Sequence, residues 1–105
     1  MRVYVAGPMG GQSENISVAI KAATKLLDAG LSPYVPHLTY YWDVRHARAR
    51  SRWMTLDLEW LKVCDCLLRL PGDSEGADQE VAWAKELGIP VYMSMDAVIA
   101  KGRAR

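Results

Sequence analysis

The sequence is poor in the features that announce a function by themselves. Its 13 Lys and Arg are balanced by 12 Asp and Glu, for a formal net charge of +1 over 105 residues. No overall field draws it to nucleic acid or to a membrane surface. No apolar run approaches the roughly 20 residues of a membrane span. The opening MRVYVAGPM enters a strand-like run directly and has no apolar signal-peptide core. The two cysteines, Cys64 and Cys66, are too close in sequence for an ordinary bridge within one strand. They read as reduced, buried strand residues of a cytoplasmic protein. The two histidines, His37 and His46, offer no metal-ligand spacing, and neither is convincingly paired with a serine or cysteine. GPMGG is not the GxGxxG of a dinucleotide site. The expectation is no metal and no cofactor. Without repeats, linkers or low-complexity runs, residues 1–105 read as one domain.

Half of the residues are hydrophobic, enough for a real core, and they fall into alternating patterns. Residues 2–6 form a short apolar run, expected to be a buried strand, and 7–11 a turn. From about 13 to 29 a helix is expected, with Ile16, Ala19, Ile20, Ala23, Leu26 and Leu27 on its face and Gly30 as its stop. Strands are expected at 31–35, 64–70 and 90–93. Helices are expected at about 51–63, after the turn at 73, and at 95–101, with Gly88 ending the second of these. The stretch 36–52 reads as irregular. Strands alternating with helices imply parallel strands and right-handed crossovers. Continuously apolar strands imply cover on both faces. The expected fold is an α/β three-layer sandwich, a small doubly wound parallel sheet of four to five strands, flavodoxin- or Rossmann-like. Ligands bind such sheets beyond the carboxyl ends of the strands. Those ends carry residues 7–11, 36–52 and 72–76.

Two acids interrupt apolar stripes. In DSEGADQEVAWAKELG, residues Ala77, Val81, Ala84 and Leu87 share a helix face, and Glu80 sits within it. In WMTLDLEWLKVC, residues Trp53, Leu56, Trp60, Leu61 and Cys64 form the stripe, and Asp57 sits within it. A carboxylate on a buried face costs several kcal/mol unless paired or hydrogen-bonded. Two of them flanking one strand in a small domain point to a site. The plain alternative is that Glu80 lies at a stripe edge and reaches water, and that Asp57 pairs with Arg50 or Arg52.

Three segments in order, VYVAGPMGG, DLEWLKVCD and LPGDSEGADQEVAWAKELGIPV, carry a resemblance that runs from Val3 to about Tyr92. Asp57 to Asp65 spans eight residues, Ser74 to Glu80 six, and Glu80 to Gly88 eight. In these the chain resembles the nucleoside 2-deoxyribosyltransferase superfamily, including the 2'-deoxynucleoside 5'-monophosphate N-glycosidases. The resemblance implies that Glu80 is the nucleophile at the anomeric carbon and that Asp57 is an acid/base or sugar- and base-binding group. It implies that Tyr4 orients Glu80. Gly7, Pro8, Met9 and Gly10 would line the sugar–phosphate pocket, while Ser74 and Gly76 hold a 5'-phosphate. A serine at 74, where the transferases carry an acid, leans toward a nucleoside monophosphate. The first loop departs from the pattern, since it lacks the serine and arginine of monophosphate-using relatives. Phosphate binding would then fall to backbone amides, to Ser13 or to an arginine from elsewhere. The partners implied are a small-molecule nucleotide or nucleoside and a second copy of the chain, as a homodimer or higher homo-oligomer.

The segment HLTYYWDVRHARARSRW interleaves aromatics with Arg45, Arg48, Arg50 and Arg52. Such a mixture binds single-stranded nucleic acid in some proteins, but the basic patch is local and a broad basic face is missing. A loop over the site fits better: Trp42, Tyr40 or Tyr41 is placed to stack on a base and His37 to reach its edge. Packing at a subunit interface is the alternative for the same aromatics. Two functions remain: an enzyme that cleaves or transfers an N-glycosidic bond, and a nucleotide-sensing module of the same fold without turnover.

Overall fold

The computed structural model describes residues 1–9 and 13–104. The order of elements is β1 (Arg2–Ala6), α1 (Ser13–Asp28), β2 (Ser32–Tyr34), a 3-10 turn (Pro36–Leu38), α2 (Thr39–Arg45), α3 (Arg50–Leu61), β3 (Cys66–Arg69), α4 (Glu75–Glu86), β4 (Val91–Tyr92) and α5 (Met95–Arg103). The four strands are parallel in the order β2-β1-β3-β4. The chain leaves β1 toward β2 on one side and returns to β3 on the other. This reversal puts a crevice at the carboxyl ends of β1 and β3, where ligands of doubly wound sheets sit.

Alternation along the central strands divides the core in two. Val3, Val5, Cys66 and Leu68 pack against Ala19, Ala22 and Leu26 of α1 and Val98 of α5. Tyr4, Ala6 and Leu67 face Leu61 of α3 and Ala77 and Ala84 of α4. Each buried aliphatic side chain stabilises the fold by about 1.5–3 kcal/mol. These layers form the expected three-layer α/β sandwich, with four strands.

Three local expectations are corrected. The buried face of α1 is Ile16, Ala19, Ala22, Ala23 and Leu26. Ile20 is 41% and Leu27 62% exposed. The stripe is turned toward the alanines, whose small side chains let the helix lie close on the sheet. Second, 36–45 is not irregular. Pro36 opens the 3-10 turn, Thr39 Oγ1 donates to the Pro36 carbonyl at 2.8 Å, and α2 follows. Because α2 buries none of its residues, its sequence carries no apolar period to read. Third, Leu87 and Trp60 lie half-exposed although both were placed on buried stripes. Among the described residues, no helix is long and apolar enough to cross a membrane.

Candidate active site

Glu80 comes to its place through α4. Ser74 caps that helix, its Oγ accepting from the Ala77 amide at 3.1 Å. Two turns of helix then set Glu80 on the inner face between Ala77 and Ala84, at 2% exposure. Tyr4 projects from the middle of β1 on the same side of the sheet, and its hydroxyl donates to Glu80 Oε2. Glu80 faces a cavity of about 430 Å³ lined by Gly7, Pro8, Met9, Asn15, Arg50, the turn 73–76 and Ala77. The floor is thus made from the carboxyl ends of β1 and β3, as the strand order dictates.

Burial pushes the Glu80 carboxyl up to about 7, and the charge of Asp57 adds to the rise. The Tyr4 hydrogen bond and the guanidinium groups of Arg69 and Arg50 oppose it. Glu80 lies in the second turn of α4, where the helix dipole, which fades beyond the first turn, does little to keep it ionised. Tyr4 is held far above the ordinary tyrosine range, first by burial and then by the charges of Glu80 and Asp57, so it remains a hydrogen-bond donor.

Asp57, on α3, is fully buried at 0% exposure. Neither Arg50 nor Arg52 pairs with it; its Oδ1 accepts from the Tyr34 hydroxyl at 3.1 Å. Burial raises it to about 7, against the pull of that hydrogen bond. Tyr34 lies beside Tyr4 in the β1–β2 register, and their rings stack with centroids 5.5 Å apart. Asp57 does not line the cavity.

Of the remaining expected site residues, Gly7, Pro8, Met9, Ser74 and Gly76 line the cavity with Glu80, while Gly10 lies outside the described residues. Gly76 has no side chain where the space is tight: a Cβ there would stand 3.3 Å from Arg50 Nη2. The Ala77 amide, already engaged by Ser74, is not free for a ligand, but the Ser74 hydroxyl keeps its own proton to donate. His37 does not reach the cavity. It is buried beneath the first loop, where Nε2 donates to the Pro8 carbonyl at 3.1 Å. Burial lowers its pKa, so the ring is neutral and serves as a prop. Trp42 is 55% exposed and lies edge-on to Trp53 at 4.9 Å, on an outer groove of about 570 Å³ shared with Tyr34, Leu38 and Trp60.

The sequence reading missed four contributors. Arg50 enters the cavity from the first turn of α3, and Asn15 from α1. Tyr34 carried a faint signal, being a polar-tipped aromatic in a buried strand. Arg69, largely buried at the end of β3, donates to the Leu70 and Gly72 carbonyls and to Asp78 Oδ1 at 3.1 Å. It holds the 70–72 turn from within, where Gly72 adopts φ +114° and approaches Pro8.

Among known structures, a 2-deoxyribosyltransferase from the psychrotolerant bacterium Bacillus psychrosaccharolyticus has a TM-score of 0.73 and 26% identity, over 87% of this chain and 69% of that one. That protein is described as a biocatalyst for synthesis of antiviral and antitumoral nucleosides. A conserved protein from Enterococcus faecalis V583 has a TM-score of 0.72 and 23% identity, over 87% and 60% of the two chains. A 2-deoxyribosyltransferase from Leishmania mexicana has 0.64 and 18%, over 86% and 61%. The chain thus spans less than two thirds of the last two. The fold is 2-deoxyribosyltransferase-like. No curated protein matches the chain. The sequence pattern of one family covers residues 1–94, and the chain belongs to that family, described as a domain of unknown function, DUF7768.

Proposed function

We propose that the protein cleaves or transfers the N-glycosidic bond of a nucleoside 5'-monophosphate or nucleoside, with Glu80 as nucleophile. One observation carries this: a carboxylate that is 2% exposed, held by the hydroxyl of Tyr4, faces a cavity at the switch point of the sheet. A structural acid has no need of a cavity, and a surface acid has no need of a buried tyrosine. The likeness to 2-deoxyribosyltransferases agrees with the same chemistry.

In the first step a Glu80 carboxylate oxygen bonds to the anomeric carbon. The carbon–nitrogen bond breaks, its electron pair leaves with the base, and the base takes up a proton. In the second step water, or the nitrogen of another base, attacks the anomeric carbon and frees Glu80. Both steps pass through an oxocarbenium-like state, which a nearby carboxylate stabilises more strongly in a partly dry pocket than in water. Tyr4 holds the carboxylate on line. A 5'-phosphate would find the Ser74 hydroxyl, the unpaired amides of the first turn of α4 and the Arg50 guanidinium in one wall. Arg50 thereby substitutes for the arginine that the first loop lacks.

The test is release of free base from a panel of deoxy- and ribonucleoside 5'-monophosphates and nucleosides, with Glu80→Ala as control. Release by the wild type and loss of at least about 1,000-fold in the variant are expected, since the nucleophile is gone. No release, with thermal stabilisation by a nucleotide, replaces catalysis by binding. An active Glu80→Ala protein removes Glu80 from the mechanism.

A further inference from the structure

Asp57 is the second buried acid, and it lies outside the lining of the Glu80 cavity. It is 0% exposed, it does not line the Glu80 cavity, and its Oδ2 is buried without a hydrogen-bond partner. A general acid or base must come within about 2.6–3.2 Å of the proton it moves, or reach it through one water. Asp57 lines neither the Glu80 cavity nor the outer groove, and its Oδ1 is already engaged by Tyr34.

What Asp57 does touch is Tyr34. Its Oδ1 accepts from the Tyr34 hydroxyl at 3.1 Å. The Tyr34 ring stacks on Tyr4, its register partner on β1, with an interplanar angle of 29°. Trp60, from the turn of α3 after Asp57, stacks on Tyr34 at 5.8 Å and 20°. Tyr4 in turn donates to Glu80. The four side chains Asp57, Tyr34, Tyr4 and Glu80 therefore run as one connected row from α3, across two strands, to α4.

We propose that Asp57 is a positioning residue: it fixes the Tyr34 hydroxyl, the stacked tyrosines fix each other, Tyr4 fixes the Glu80 carboxylate, and Asp57 exchanges no proton with substrate. This rests on the glycosidic function proposed above and departs from the acid/base role that the family resemblance implies. The physical need is plain. A phenol ring swings freely about its first side-chain torsions unless both its face and its hydroxyl are held. Tyr34 is held by stacking on one side, by Trp60, and by Asp57 at the hydroxyl, so its ring is a fixed wall for Tyr4. A misplacement of about 1 Å in a reacting group costs up to about 100-fold in rate. The proton taken up by the departing base then comes from solvent.

Two substitutions at position 57 separate the roles. Asp57→Asn keeps an oxygen for Tyr34 but cannot move a proton; Asp57→Ala keeps neither. Positioning predicts that Asp57→Asn loses less than about tenfold in kcat, while Asp57→Ala and Tyr34→Phe each lose about 100-fold. The double variant Asp57→Ala, Tyr34→Phe should lose no more than the worse single one, because both break the same row. An acid/base role predicts that Asp57→Asn falls with Asp57→Ala, by about 100-fold or more, while Tyr34→Phe stays near wild type; that result overturns the proposal. A second measurement does not depend on turnover: titration of Glu80 by carbon-13 NMR in glutamate-labelled protein, on variants shown to be folded by their melting curves. In the Asp57→Asn background, where position 57 carries no charge, Tyr34→Phe should raise the Glu80 midpoint, because loosening Tyr4 weakens a bond that favours the ionised carboxylate. Asp57→Ala should titrate above Asp57→Asn, since both remove the same charge and only the first removes the anchor. Unchanged midpoints in folded protein overturn the proposal even if no substrate is found, whereas shifted midpoints without base release sink only the glycosidic function.

Discussion

Glu80→Gln should make the protein more stable at alkaline pH and leave it nearly unchanged in acid. Burial raises the Glu80 carboxyl from its ordinary 4.5 to about 7. A raised acid favours the fold while it is protonated in both states, below about 4.5, and that contribution is lost as pH climbs through 7. Above 7 the folded protein carries a buried carboxylate that the unfolded chain would hold in water. At about 1.4 kcal/mol per pH unit, the cost is on the order of 3 kcal/mol. Little screening applies, because the side chain is 2% exposed. Glutamine has the same shape, keeps an oxygen for the Tyr4 hydroxyl and cannot ionise. The variant should therefore gain on the order of 3 kcal/mol at pH 8, equivalent to at least about 10 °C in Tm for a domain of this size. The gain should vanish near pH 4. Melting curves of both proteins at pH 4, 6 and 8 measure it. A pH-independent difference, or a Glu80→Gln protein less stable at pH 8, refutes the view that this acid is held at a cost. Such a cost, kept at a position that faces a cavity, is what the proposed role of Glu80 as nucleophile would require.

Other substitutions test the walls of the cavity. Gly76→Ala should stabilise the fold by up to about 1 kcal/mol of helix propensity, seen as a higher Tm. Its Cβ, 3.3 Å from Arg50 Nη2, should at the same time weaken binding of a nucleoside monophosphate, as read by calorimetry. Gly72→Ala should destabilise by about 1–3 kcal/mol in urea unfolding, because φ is +114° there and the new Cβ would stand 2.8 Å from Pro8 Cγ. Cys64, raised to about 11 chiefly by burial and next by Cys66, should resist thiol reagents at pH 8 until the protein is unfolded.

What the sequence revealed follows from how each feature is built. Continuous apolar runs made β1 and β3 readable, because strands covered on both faces have no polar side. Glu80 and Asp57 were readable because a charge within an apolar stripe breaks a regular pattern. The glycines ending α1 and α4 were readable from local chemistry alone, whereas the capping of α4 by Ser74 emerged only from the structure. The far side of the site was not. Arg50 and Asn15 reach the cavity from segments whose own periodicity says nothing of their direction. Tyr34 meets Asp57 only because a parallel crossover sets β2 beside β1. His37 and Trp42 resembled a base-reading pair because they share an aromatic segment. The structure sets one beneath the first loop and the other on an outer groove. Asp57 was correctly read as buried and turned inward, but its partner proved to be a tyrosine on a neighbouring strand and not a nearby arginine.

The central claim is that the Glu80 carboxylate bonds to the sugar. The direct measurement is mass spectrometry of protein quenched in acid during turnover of the best substrate of the base-release panel, digested and mapped. The account predicts a glycosyl adduct on the peptide bearing Glu80, absent from the Glu80→Gln protein. Base release in which the adduct maps to another residue, or persists in Glu80→Gln, contradicts it.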